Sequence, residues 1–462
     1  MRERSNKAAF AILAFWALSP LLVAVTYFIL YDQCYVVSYN YTVFMHGLIH
    51  MGYMLLTGLA AAILLIVTIV VKCKDKSLNI DAGWLKGHIV LFILAAWLLW
   101  CLMATLLAFD ENTALWGTYM LRDGYVSYII YALVFAAAFL LKDESYRLKL
   151  LYIFIVTADI LTLNMVGYEL HISVLMKLSH NVSSAVYMHP NHFGYYLCLA
   201  LMACFGLIAC DIYQGEHKPV GRVFGYASFA WLSYGLMIND TFGAFLGLVC
   251  GMLLMLILWY LREHSFKLQL LIPFGILLLM LFLSYEGVIT NTVGETVGSS
   301  LRQVVSDAGL LAKDALGSGE DIAQTDIDQA GSGRMYLWKE ALKYIKAHPI
   351  LGMGPEGLVH EYYDTTGFDR PHNEYMERAV FCGIPSLLLF MALLFYPVVR
   401  ALRKLKTLDA PVMIFMGMLA AYSVSAVFGV TAGYIQPYLF ALMGFMASGP
   451  VGSEGQGVLD KN

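Results

Sequence analysis

Charge is scarce in this sequence. Lys, Arg, Asp and Glu together make up 13% of the chain, where a soluble domain carries about 25%. That shortage excludes an ordinary soluble fold, and the 60% apolar content points to lipid as the solvent. The net charge of −4 says little about partners, because membrane proteins distribute charge by topology, and no nucleic-acid partner is expected. Cysteine pairs are missing too. None of the eight cysteines forms a CxxC pair, so neither a zinc site nor a redox motif is indicated. Cys101, Cys198, Cys204, Cys210 and Cys250 sit inside apolar runs and read as small packing residues. There is no GxxxxGK[ST] phosphate loop, no loop with the spacing of an EF-hand, and no repeat of twenty to fifty residues.

What is present is a series of long apolar runs. A spanning helix needs roughly 20 apolar residues. Twelve segments qualify as candidates: 8–31, 45–71, 88–108, 124–141, 149–166, 192–212, 223–239, 241–261, 268–286, 379–399, 411–430 and 434–449. Arg2, Arg4 and Lys7 precede the first, but no small-residue cleavage site follows it, so it reads as a retained span. Cytoplasmic loops are enriched in Lys and Arg. With the N-terminus inside, the inner loops hold Lys72, Lys74, Lys76 and Lys86; Lys142, Arg147 and Lys149; Lys218 and Arg222; Arg262 and Lys267; and Arg400, Arg403, Lys404 and Lys406. The outer loops hold chiefly Arg122 and Lys177. The expected fold is an all-α polytopic membrane protein of about twelve transmembrane helices. Both termini are cytoplasmic, with helices over 1–286, a large extracytoplasmic loop over 287–378, helices over 379–449 and a tail over 450–462.

Chemistry on a water-soluble group belongs in that polar loop. Its first part, 287–330, has no sustained period and reads as a solvated strip with Asp307, Asp314, Glu320, Asp321, Asp326 and Asp328. From Arg334 to Ala347 the period turns helical. Met335, Trp338, Leu342 and Ile345 share one face; Lys339, Glu340, Lys343 and Lys346 take the other. Ser332 is the expected N-cap, and Pro349 ends the run.

His372 stands where the loop re-enters the membrane, between Pro371 and Asn373. An imidazole takes a proton near neutral pH, which suits activation of a sugar hydroxyl. Asn373 can orient that ring or a hydroxyl. The bland alternative is an interfacial histidine with one structural hydrogen bond. Arg334 can hold phosphate oxygens with two donors, or it simply flanks a helix. Arg302, Arg370 and Arg378 lie in the same loop and could complete an anion site. His189 and His192, and likewise His46 and His50, have helical spacing that suits a metal or, more commonly, interfacial hydrogen bonding. Asp159 and Asp240 are suspects because a carboxylate in hydrocarbon is costly.

These pieces resemble a known family. Gly333-Arg334, Trp338, Ala347-His348-Pro349, Gly352, Gly354-Pro355, His372-Asn373-Glu374-Tyr375 and Gly383-Ile384-Pro385, in that order, are similar to the large-loop signature of the O-antigen ligase and Wzy-type polysaccharide polymerase superfamily. Pro190-Asn191 resembles another recurring element of it. The resemblance implies a GT-C-like, metal-independent, inverting glycosyltransferase without a cofactor. Such an enzyme takes a glycan from an undecaprenyl-diphosphate donor at the outer leaflet of the bacterial cytoplasmic membrane. It passes the glycan to a hydroxyl of a glycan, lipid or protein acceptor. Other envelope polysaccharide assembly proteins are the partners this implies. By the same resemblance His372 becomes the base and Arg334 the diphosphate ligand, with Asn373, Arg302, Arg370, Arg378, Asn191 and Trp338 around the substrate. One departure stands out. Many members place an arginine at the outer start of the eighth span, whereas this chain reads Asn239-Asp240-Thr241-Phe242-Gly243-Ala244. A transporter or flippase dependent on Asp159 is the competing class, and a peptidoglycan-type polymerase is a third.

Overall fold

A computed structural model describes residues 2–30, 39–75, 81–118, 121–176, 184–187, 189–215, 219–315, 333–430 and 432–448. The expected cap Ser332, the acidic run Glu320 to Asp328 and the tail lie outside the described residues. The long helices are α1 (Arg2–Ile29), α2 (Tyr39–Lys74), α3 (Ile89–Leu106), α4 (Tyr125–Leu140), α5 (Glu144–Glu169), α6 (Pro190–Gln214), α7 (Pro219–Asn239), α8 (Phe242–Glu263) and α9 (Leu271–Tyr285). They continue with α10 (Val297–Ala315), α11 (Arg334–Ala347), the short α12 (Val359–Thr366), α13 (Glu374–Leu402), α14 (Ala410–Ser425) and α15 (Ala432–Ala447).

A helix falls within each of the twelve apolar segments. Among the described residues, eight are long and apolar enough to cross a membrane: Glu3–Ile29, Phe44–Lys74, Ile89–Leu106, Glu144–Glu169, Pro190–Gln214, Phe242–Glu263, Leu268–Tyr285 and Glu374–Leu402. Tyr125–Leu140 and Ala410–Ser425 are apolar but shorter. The protein is therefore an all-α polytopic membrane protein. Its centre is α6, which is buried from Asn191 to Asp211, as expected of a helix apolar on every side. α9 lies at the periphery, exposing Ile272, Leu278, Leu279 and Phe282.

α8 and α14 approach closely because of a small-residue stripe. Gly243, Gly247 and Gly251 recur every fourth residue on one face of α8. A methyl at Gly247 would lie 2.0 Å from Ser425 Oγ and 2.4 Å from the Ala421 carbonyl oxygen. Small residues let helices pack where lipid offers no hydrophobic drive between them. This contact places the end of α14 beside the start of α8, at one end of the bundle. At the opposite end, the Asn6 side chain accepts from the Lys142 and Asp143 N–H groups at 2.8 and 3.3 Å. There Arg147, fully buried, donates to the Leu141 carbonyl at 2.9 Å and faces Asp409 at 3.7 Å.

α13 is broken near its start. Cys382 and Gly383 leave helical geometry, and Gly383 has φ +79 and ψ 169. The loop after α11 is zipped onto this break. Met353 N–H donates to the Val380 carbonyl at 2.9 Å, Gly354 N–H to Phe381 at 2.8 Å, and Ile384 N–H to Pro349 at 2.8 Å. The Pro349-to-Pro355 motif is thus a docking strap, and Gly383 is where it fits. A Cβ there would lie 1.8 Å from the Ile350 carbonyl oxygen. The φ/ψ region is also one that only glycine adopts readily. Gly383→Ala is expected to cost more than about 3 kcal/mol, read as a lowered melting temperature in detergent. An unchanged midpoint would mean that the strap does not anchor the break.

α11 corrects one expectation. Leu337, Glu340 and Ala341 form its buried face, while Met335 and Leu342 are 43% and 46% exposed. The Tyr362 hydroxyl of α12 donates to the Leu337 carbonyl, and α13 packs against α11. These neighbours set the helix's rotation, which periodicity alone placed one residue away.

Candidate functional site

His372 lies in the turn that opens α13. Asn373 caps that helix, its side-chain oxygen accepting from the Tyr375 and Met376 N–H groups, both at 3.1 Å. Glu374 N–H donates to the Ala426 carbonyl at 2.9 Å, and the Tyr375 hydroxyl to Ser423 O at 2.8 Å, tying the turn to the end of α14. Between these fixed neighbours His372 adopts φ +53. A non-glycine residue rarely enters this left-handed region, and it persists only where the surroundings enforce it.

The His372 ring meets His189 edge-on at 6.0 Å and Phe368 edge-on at 5.7 Å. Asp369 Oδ1 is 3.9 Å from Nε2. The side chain is only 14% exposed. Burial pushes its pKa down to about 4. Asp369 opposes that shift, and the charges of His189, Arg334 and Arg370 reinforce it. At neutral pH the imidazole is therefore uncharged, the form that accepts a proton. His189 is turned to structure: its Nδ1 accepts from Asn191 N–H at 3.1 Å and caps α6. Burial likewise pulls its pKa down.

Arg334 opens α11, after Gly333 in a left-handed conformation. Its Nε donates to the Phe428 carbonyl at 3.2 Å. Phe428 belongs to the turn after α14, where the Tyr195 hydroxyl also donates to Ser425 O at 2.8 Å. A methyl at Gly429 would strike Tyr195 Oη and Asn191 Nδ2, so both close over that turn. Burial lowers the Arg334 pKa while Tyr195 and Asp240 support the charge. Trp338, one helical turn along from Arg334, is half-buried, with its buried indole N–H making no hydrogen bond among the described residues. His372, Arg334, Asn191 and Asp240 thus converge from α13, α11, α6 and the α7–α8 turn at one end of the bundle.

The other expected arginines are placed differently. Arg370 is fully buried, 2.9 Å from Glu356, 3.2 Å from Glu377 and 3.1 Å from Asp369. Burial opposes its charge, yet Glu377, Asp369 and Glu356 raise its pKa above the ordinary guanidinium value. Arg378 lies 3.4 Å from Glu374 and over the rings of Tyr128 and Phe390, both at 5.0 Å. Arg302 leans on the Tyr285 ring at 5.3 Å, at the end of α9. Each of these three arginines has partners of its own. Arg370 and Arg378 are paired with carboxylates, and Arg302 donates to the Tyr285 carbonyl.

Glu356, Asp123, Asp369 and Tyr195 drew no attention in the sequence. Glu356 accepts from Thr118 N–H as well as from Arg370, joining two remote loops. Asp123 accepts from the Tyr131 hydroxyl at 2.6 Å, and burial raises its pKa to about 7. Only Glu374, four residues before Arg378 on one helix, gave a readable signal.

His46 and His50 are buried against Tyr434, with ring distances of 6.0 and 4.5 Å, and His192 stacks on the same tyrosine at 4.9 Å. They form an aromatic cluster, and no group suited to a metal occurs among the described residues. Asp159 accepts from Ser228 Oγ at 2.7 Å and links α5 to α7.

Residues 227–391 match the family model of the O-antigen ligase. That stretch runs from α7 into α13 and contains Asp240, Arg334, Arg370 and His372. No curated protein matches the chain.

Proposed function

We propose that this chain, which belongs through residues 227–391 to the O-antigen ligase superfamily, is a metal-independent, inverting glycosyltransferase. It moves a glycan from an undecaprenyl-diphosphate donor to a hydroxyl acceptor, as a ligase or a polymerase. In this reading all twelve apolar helices span the cytoplasmic membrane, both termini are cytoplasmic, and the His372 end faces outward. The lipid tail then stays in the bilayer while the glycan stays in water.

The observation that carries the reading is the His372 imidazole, uncharged and held in a strained turn, with a guanidinium at the same end of the bundle. His372 takes the proton from the acceptor hydroxyl as its oxygen bonds the anomeric carbon. The bond from that carbon to the phosphate oxygen breaks, and its electron pair leaves with the diphosphate. Arg334 stabilises the developing charge. Asn373 spends its side-chain oxygen on capping, so its role is to fix the turn and hold the ring. Trp338 offers an aromatic face for a sugar, and Asn191 braces the turn that receives Arg334.

Purified protein in nanodiscs, given a short undecaprenyl-diphosphate oligosaccharide, is expected to release lipid diphosphate and extend a glycan, read by mass spectrometry. A ladder of repeats means polymerase, and a single addition to another acceptor means ligase. Arg334→Ala is expected to slow release by about 10²–10³-fold. Wild-type rates in that variant, or no turnover with several donors, would sink the reading.

A further inference from the structure

Asp240 sits in the turn between α7 and α8, at the same end as His372, and no role assigned above uses it. Its backbone is left-handed, φ +62, so the surroundings hold it there. Asn239 Nδ2 donates to the Pro190 carbonyl at 3.0 Å, and Asn291 Nδ2 to the Ile238 carbonyl at 3.0 Å. A methyl at Gly194 would lie 2.4 Å from Thr241 Oγ1 and 2.5 Å from Asn239 Oδ1. The turn is therefore wedged against the first turns of α6, which carry Asn191 and, as its cap, His189. Ser300 Oγ of α10 donates to Asp240 Oδ1 at 2.7 Å and fixes the carboxylate. Arg334 and Asp240 feel each other's charge: each favours the ionised form of the other. Burial and Glu295 oppose ionisation of Asp240, whose pKa rises to about 6, so it is charged at pH 8.

The Asp240 turn and Arg334 meet at Phe428: a methyl at Gly243 would lie 2.8 Å from Phe428 Cβ, and Arg334 Nε donates to the Phe428 carbonyl at 3.2 Å. We infer that Asp240 is a specificity-determining residue that competes with the leaving group's phosphates for Arg334 and selects against the more highly charged product. This rests on the reaction proposed above. There the donor is a diphosphate diester. When the anomeric carbon–oxygen bond breaks, the electron pair stays on the terminal phosphate oxygen, and the departing prenyl diphosphate is a monoester with one more ionisable oxygen. A carboxylate held in the turn that packs on Phe428, the residue Arg334 binds, penalises that added charge and speeds product release. A charge within about 4–6 Å of a site typically changes an ionic equilibrium there tenfold or more.

The test measures binding rather than turnover. Full-length protein in nanodiscs at pH 8 is titrated calorimetrically with a short-chain prenyl diphosphate and, separately, a prenyl-diphosphoryl sugar. Wild type, Asp240→Asn, Ser300→Ala and Arg334→Ala are compared. Asparagine suits the left-handed turn, so Asp240→Asn should keep the fold. It is expected to bind the monoester about tenfold more tightly than wild type, with a smaller gain for the diester. Ser300→Ala, which frees the carboxylate to move, is expected to shift monoester binding by less. An Asp240→Asn variant that binds the monoester no more tightly than wild type, while Arg334→Ala loses both ligands, would overturn the inference and leave the proposed reaction standing. Wild type that binds neither ligand would overturn both.

Discussion

His372→Ala is expected to lower glycan transfer by about 10²–10⁴-fold, the usual contribution of a positioned general base. The melting temperature should stay near that of wild type, because the turn is held by the Asn373 cap and by the bonds to Ala426 and Ser423. His372→Asn tolerates the same left-handed backbone and should be equally inactive, which separates loss of the base from loss of the turn. The pH profile gives a second check. With the His372 pKa near 4, the neutral base persists well below the ordinary histidine range. The acid limb of kcat/KM should therefore fall at about pH 4–5 instead of near 6.5. The folded state binds its proton less readily than the unfolded chain, so acidification from about pH 6.5 toward 4 costs stability. Activity retained in His372→Ala, or an acid limb at or above pH 6.5, would contradict this account.

Arg370→Ala should give the largest loss of stability. It leaves Glu356 and Glu377 buried without their cation, and breaking a buried pair in this way costs about 3–5 kcal/mol. Thermal unfolding in detergent reads the effect. Arg370→Lys keeps the charge but loses the fork that reaches three carboxylates, so it should fall between wild type and Arg370→Ala. Glu356→Gln added to Arg370→Ala should restore part of the loss, since it removes one stranded charge. Arg370 is two residues from His372, and activity should fall along with stability. An Arg370→Ala protein that melts with wild type would show that the network contributes nothing net.

Much of the fold was legible because lipid imposes a simple rule. Apolar runs must be helical when no water can satisfy their backbone groups, and a helix lies in each run. The strap at 349–355 and the break at Gly383 were visible as motifs, but their contact was not. Gly243, Gly247 and Gly251 spelled out the α8–α14 contact and went unread, although their fourfold spacing is a known packing signal. The α11 helix was found while its buried face was not, because Tyr362 and α13 set the rotation and both lie beyond the helix.

The site divides in the same way. Apolar runs and loop charges alone establish a polytopic helical membrane protein, and the polar loop singles out Arg334 and His372 as residues with chemistry to offer. The sequence also supplies the types and spacing of the charged side chains, since these are local properties. Folding settles which of those charges have partners. Arg370 meets Glu356 and Glu377, Asp240 meets Ser300, and Glu356 meets Thr118 across 238 positions of chain. An arginine alone on a sequence is a candidate anion ligand, but an arginine between three carboxylates is a structural pin. The two cannot be told apart until the chain folds, because Coulomb energy depends on separation in space and on the local dielectric, and sequence distance fixes neither.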